Sequence, residues 1–178
     1  MFCDNQSEVP LKFGYLSHII RIISTALNSN IQSTISIIMR KTKYIFSLDY
    51  KGLLVLIPIY FLHLQEILKL NSSFEDKVKS AAMSIIGSLL CLPDRFSNYK
   101  ITSIVKGIPK MEMEEIREKL QEILWTFIET FKVNMTSPTT AASSAKVMRK
   151  AVCCANIMIY QEAVNTNRQP YILKVISL

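Results

Sequence analysis

The chain has 178 residues, enough for one domain or four to five helix pairs, and length alone does not choose between these. Hydrophobic residues make up 49% and charged residues 20%, and 4 Gly and 6 Pro leave too few turn-formers for a many-stranded sandwich or barrel. A net charge of +7 and a pI near 9.3 favour an anionic partner, but the bases are spread as Arg40, Lys41, Lys43, then Lys77, Lys79, then Lys106, Lys110, then Arg149, Lys150. That spacing reads as ordinary solvated faces, so no nucleic-acid partner is expected.

The start, MFCDNQSEVP, is acidic and polar where a signal peptide needs a basic start and an apolar core, so no secretory route is indicated. Residues 11–27 place Leu11, Tyr15, Ile19, Ile22, Ile23 and Ala26 at three- and four-residue steps, which predicts a helix closed by the polar break Asn28-Ser-Asn. Residues 31–48 repeat the pattern with a stripe of Ile31, Ile35, Ile38, Ile45 and Leu48, and Asp49-Tyr-Lys-Gly52 reads as a turn.

The next helix, residues 53–70, is apolar on nearly all sides at its start and amphipathic after His63, so its first turns belong between neighbouring helices. Pro58 is tolerated if the helix starts near Ile57, and otherwise imposes a kink; the first reading is preferred. The run LLVLIPIYFL, residues 53–62, is about half the length that spans a bilayer, so no transmembrane segment is expected. Ser72 and Glu75 have capping-box spacing and predict a new helix from about Phe74 to Leu92, stopped by Pro93.

Between 95 and 109 the spacing of Ile101, Ile104, Val105 and Ile108 suits a short helix ended by Gly107 and Pro109. Residues 112–133 form the clearest amphipathic pattern, with Ile116, Leu120, Ile123, Leu124, Phe127, Ile128 and Phe131 opposite Glu115, Glu118, Glu122 and Glu129. Ser137-Pro138 marks a further start, after which residues 141–164 carry Val147, Ala151, Cys154 and Met158 on one face. The tail PYILKVISL is apolar and short. These starts fall into two-helix units of about forty residues, the range of HEAT and armadillo repeats. The expected fold is therefore all-α, stacked helix pairs across residues 1–178, with an irregular helical bundle as the alternative.

Catalytic chemistry is not legible. Cys3, Cys91, Cys153 and Cys154 form no CxxC pair and lie far from His18 and His63, so no metal site is expected; free, mostly buried thiols are the plainer reading. Neither a nucleophile elbow nor a glycine-rich phosphate loop is present in the sequence. His63 stands three residues before Glu66 on one helix face, and Glu112, Glu114 and Glu115 cluster at a helix start; both read as surface features. Trp125 reads as the edge of the core, with an interface anchor as the alternative. No catalytic, cofactor or metal residue is nominated, and the chain is not expected to be an enzyme.

Two segments carry a family likeness: residues 43–68, KYIFSLDYKGLLVLIPIYFLHLQEIL, and residues 85–96, IIGSLLCLPDRF. Through Ile45-Phe46-Ser47-Leu48, Gly52, Leu56-Ile57-Pro58, Gly87-Ser88-Leu89, Cys91 and Pro93, they resemble a helical region of the Ral GTPase-activating protein subunits, relatives of tuberin. In that family such helices belong to a long solenoid, and a separate C-terminal domain promotes GTP hydrolysis with an asparagine; no segment here resembles that domain. The resemblance implies a cytoplasmic, non-catalytic scaffold, part of a longer solenoid, whose partners are proteins: a second GTPase-activating subunit and a Ral-type small GTPase. Successive second helices would make the concave partner face. The rival reading, a basic helical protein that binds nucleic acid or an acidic or membrane surface, predicts that Arg40, Lys41, Lys43, Lys146, Arg149 and Lys150 converge. Insertion of residues 53–62 into lipid is its membrane form.

Overall fold

A computed structural model describes residues 8–48, 51–69, 72–92, 100–101, 111–134 and 138–164. Six α-helices carry the described chain: α1 Glu8–Asn28, α2 Gln32–Lys41, α3 Ile57–Ile67, α4 Asp76–Leu90, α5 Met113–Asn134 and α6 Pro138–Val164. Two-residue strands, β1 Lys100–Ile101 and β2 Met111–Glu112, pair antiparallel, with Lys100 opposite Glu112. The fold is all-α in class, as the composition and periodicity predict.

The first helix ends where the polar break stands. Ser29 Oγ donates to the Ala26 carbonyl at 2.7 Å, and Asn30 takes φ 55°, a left-handed conformation that asparagine accepts more readily than most residues. The buried face of α1 overlaps the one the sequence suggests at Ile23 and, half-buried, Ala26, but is otherwise rotated from it. Ile23 and Leu27 are buried and Leu16 and Ile20 pack against them, whereas Tyr15, Ile19 and Ile22 are 69%, 44% and 61% exposed. Both stripes have helical spacing, so periodicity predicts the helix without choosing which apolar face turns inward.

The single helix expected over 31–48 breaks at Lys41. Thr42 returns its hydroxyl to the Ile38 carbonyl at 2.7 Å, and a 3-10 helix, Ile45–Leu48, follows, with Ile45 and Phe46 buried. Ile31 and Leu48, placed on the inner stripe by the sequence, are exposed; Ile35 and Met39 are the buried residues of α2. Asp49 and Tyr50 of the expected turn lie outside the described residues, and Lys51–Leu56 is a 3-10 helix leading directly into α3.

The α3 helix begins at Ile57, so Pro58 sits in the first turn, where its missing N–H has no intrahelical partner to lose. Leu53, Leu54, Leu56, Ile57, Pro58, Ile59, Tyr60 and Phe61 are buried, with Tyr60 edge-on to Phe46 at 5.2 Å between ring centroids. This apolar run is the centre of the core, which removes it from the membrane reading. Among the described residues no helix is long and apolar enough to cross a membrane.

The capping box at Ser72 and Glu75 does not form. The α4 helix opens at Asp76 with Glu75 as N-cap and no side-chain cap bond, while Ser72 Oγ accepts from the Phe74 N–H at 3.4 Å, two residues ahead of the helix. From Val78 to Leu90 no residue of α4 is exposed. The short helix expected around 101–108 is not found at Ile101, which lies in β1; Ile104, Val105 and Ile108, like Pro93, Pro109 and the tail 170–178, are outside the described residues.

In α5, Ile116, Leu120, Leu124 and Ile128 are buried opposite exposed Glu115, Glu118, Glu122 and Glu129; in α6, Val147, Ala151, Cys154 and Met158 are buried. Both faces are those the sequence indicates. Contacts run within successive pairs, α1 on α2, α3 on α4, α5 on α6, and between alternate helices, α1 on α3, α2 on α4, α4 on α6. The second helices of the pairs thus form one layer, with α4 at its middle.

Candidate functional site

Two adjoining recesses open on the α2–α4–α6 layer, and the smallest side chains of α4 explain why they exist. Ser80, Ala81, Ser84, Gly87 and Ser88 leave α4 thin along the side that meets α6, so the two backbones come close and deep side chains are replaced by space. A Cβ added at Gly87 would lie 3.3 Å from Cys154 Sγ, a tight approach of α6 to α4 at this position.

The first recess, about 570 Å³, is lined by Tyr44, Phe46, Met83, Gly87, Leu92 and Ile157 together with Cys91, Cys153 and Cys154. The thiol of Cys91 therefore shares one neighbourhood with the adjacent pair Cys153 and Cys154, distant from it in sequence. The three differ in chemistry. Cys154 is buried, its thiol donates to the Met83 carbonyl at 3.3 Å, and burial pushes its pKa up to about 12, so it stays protonated and inert at neutral pH. Cys91 and Cys153 are exposed, a correction to the expectation of mostly buried thiols; Cys3 is outside the described residues. Among the described residues no three His, Cys, Asp or Glu side chains meet in an arrangement that could hold a metal ion.

The second recess, about 650 Å³, is basic. Arg40 from the last turn of α2, Lys43 from the segment after it, Lys77 from α4 and Lys146 and Lys150 from α6 line it, and Asp76 is its one carboxylate. Four of the six bases singled out in the sequence do converge; Lys41 and Arg149 do not line the recess, and Lys77 joins it. Lys150 Nζ donates to the Ser80 carbonyl at 3.0 Å and to Ser84 Oγ. Burial, and then the charges of Lys43, Lys146 and Arg149, hold the Lys150 ammonium below its ordinary range. The separation of these bases in sequence hid the cluster.

The remaining candidates have structural roles. His63 does not pair with Glu66: its Nε2 lies 2.9 Å from the Leu27 carbonyl, in the last turn of α1, where the carbonyl lacks an intrahelical donor. Burial depresses the imidazole pKa, which the Leu27 bond and the charge of Glu66 only partly offset. The folded state therefore takes up its proton at lower pH than the unfolded chain, whose imidazole titrates near 6.5. Stability is full above that value and falls as pH drops toward the folded pKa. Urea melts from pH 7.5 down to 5 are expected to show this loss, and His63→Gln to flatten it.

Glu66 instead pairs with Lys69, and Glu115 with Lys119 at 2.8 Å, the latter bond drawing the Glu115 pKa down; both pairs are solvated contacts of single helices. Glu112 is exposed at the entry to α5, and the side chain of Glu114 is outside the described residues. Trp125 is buried at the edge of the core, and its indole N–H meets no acceptor among the described residues. Arg117, also buried, donates to the Leu92 carbonyl at 2.9 Å and ties α5 to the chain just beyond α4.

No family model matches the chain, and no solved structure matches it. It is similar to a Rap-GAP domain-containing protein of Dictyostelium discoideum, with 35% identity over 63 residues. That stretch is 35% of this chain and 4% of the relative, so the chain matches only a small fraction of that protein's length.

Proposed function

We propose that this chain is a non-catalytic, helical-repeat scaffold segment of a small-GTPase-activating assembly, cytoplasmic, and acting through protein contacts. The similarity to a Rap-GAP domain-containing protein carries the reading. Two features agree with it. Pairing of successive helices combined with contact between alternate ones is how a stack of HEAT-like pairs is put together. The outward stripe of α1, Tyr15, Ile19 and Ile22, supplies large apolar side chains at one-turn spacing, the anchors a partner helix needs.

On this reading α1 docks a helical segment of a subunit that bears the GTPase-activating domain, and the GTPase is of the Rap or Ral type. The test is recovery from cytosol with the immobilised full chain, identification of the recovered proteins by mass spectrometry, and assay of the complex for accelerated GTP hydrolysis by both GTPases. A GTPase-activating subunit with activity is expected, and Ile19→Asp with Ile22→Asp is expected to lose it while the circular dichroism melt is unchanged. A monodisperse chain that recovers no such subunit would overturn the assignment; a double variant that recovers it undiminished would remove α1 from it.

A further inference from the structure

We infer that the basic recess between α2, α4 and α6 is a binding site for a compact, multiply phosphorylated anion. The inference stands on the recess and does not depend on the GTPase-activating reading. Five cationic side chains, Arg40, Lys43, Lys77, Lys146 and Lys150, face a space in which Asp76 is the single opposing charge. Among the described residues none of the five forms an ion pair, although acidic residues are plentiful one helix away on α5. Holding like charges together without counter-charge destabilises a fold, and a bound anion would relieve it.

The chemistry of the ligand follows from the arrangement. Its cations come from separate elements and surround a concavity of about 650 Å³, the size that encloses a small molecule. A duplex is served by a stripe of bases along a convex ridge or groove, and its phosphates are spread too far apart to fill one recess. A single carboxylate would leave most of the charge unanswered. Several phosphates on one small ring would meet Arg40 as a planar fork and Lys43, Lys77 and Lys146 as mobile ammonium donors. Lys150, fixed on Ser80 and Ser84, supplies field more than a free donor. The α4 N-terminus, at Asp76 and Lys77, adds its positive end to the same space. Tyr44, exposed at the rim and with Lys43 over its ring at 4.9 Å, gives that edge an apolar border.

Such an anion exists as a soluble inositol polyphosphate or as the headgroup of a phosphoinositide, and two arms separate them. Calorimetric titration of the full chain with inositol hexakisphosphate is expected to give saturable binding that weakens steeply with added salt. Lys43→Gln with Lys146→Gln is expected to weaken it by at least about tenfold, and Lys41→Gln, on the last turn of α2 but outside the recess, by less than about twofold. Flotation with phosphatidylcholine vesicles, plain or doped with phosphatidylinositol bisphosphate, then decides the source. Retention on doped vesicles alone assigns the lipid headgroup, and binding of the hexakisphosphate without retention assigns the free anion. Absence of saturable binding in both arms, an equal loss in Lys41→Gln, or a duplex oligonucleotide binding more tightly than the hexakisphosphate would overturn the site. The substituted lysines are not buried and Lys150 is left intact, so the variants are expected to melt as the native chain does.

Discussion

Replacing Tyr60 by alanine is expected to lower the unfolding free energy by about 3–5 kcal/mol. The side chain is fully buried, packs edge-on against Phe46, and carries a hydroxyl that shares a hydrogen bond with Thr42 Oγ1. Removing the ring takes away apolar contact, the aromatic pairing and the partner that holds the break between α2 and the 3-10 helix after it. Tyr60→Phe keeps the ring and drops only the hydroxyl bond, so about 1 kcal/mol is expected. Burial pushes the Tyr60 phenol up to about 12, against the lowering effect of the Thr42 bond. Urea melts of the two variants would separate packing from hydrogen bonding; equal losses would mean that the hydroxyl, not the ring, anchors this part of the core.

Gly87→Leu is expected to be nearly as damaging, at about 3 kcal/mol, through overpacking. The Cβ alone would stand 3.3 Å from Cys154 Sγ, so a leucine is expected to press on α6 unless its three further carbons turn into the recess that Gly87 borders. Gly87→Ala has a different balance. Alanine favours the helix by up to about 1 kcal/mol over glycine, and the Cys154 side chain must give by a few tenths of an ångström, so the net change is expected within about 1 kcal/mol of zero. Thermal melts monitored by circular dichroism would test both. A leucine variant as stable as the native chain would show that the approach of α6 to α4 at Gly87 leaves room for a larger side chain.

The helical class, the first-turn placement of Pro58 and the inner faces of α5 and α6 were legible because a single apolar stripe on each helix leaves one orientation to choose. Where a helix offers two stripes the reading failed: Tyr15, Ile19 and Ile22 have the same spacing as Leu16, Ile20 and Ile23, and only the neighbours of α1 decide between them. The break after Lys41 was missed because Thr42 acts through a side-chain bond to Ile38 and through Tyr60, eighteen residues on. The capping box at Ser72 was read from spacing that the backbone does not use, since Glu75 itself takes the extended N-cap conformation. Neither recess was visible in sequence, because each is assembled from residues on three or four elements and depends on how closely α4 approaches α6. The convergence of Arg40, Lys43, Lys146 and Lys150, which an anion-binding surface requires, is present at four of six positions: those four surround one space.

The enclosure of α4 also bears on how a protein of this kind drifts over time. Between Val78 and Leu90 every position meets a neighbour, so a change there disturbs α2, α3, α5 or α6 and seldom goes unnoticed by selection. The glutamate face of α5 and the outer side of α2 carry no such restraint. Divergence is expected to gather at the rim while the middle is held.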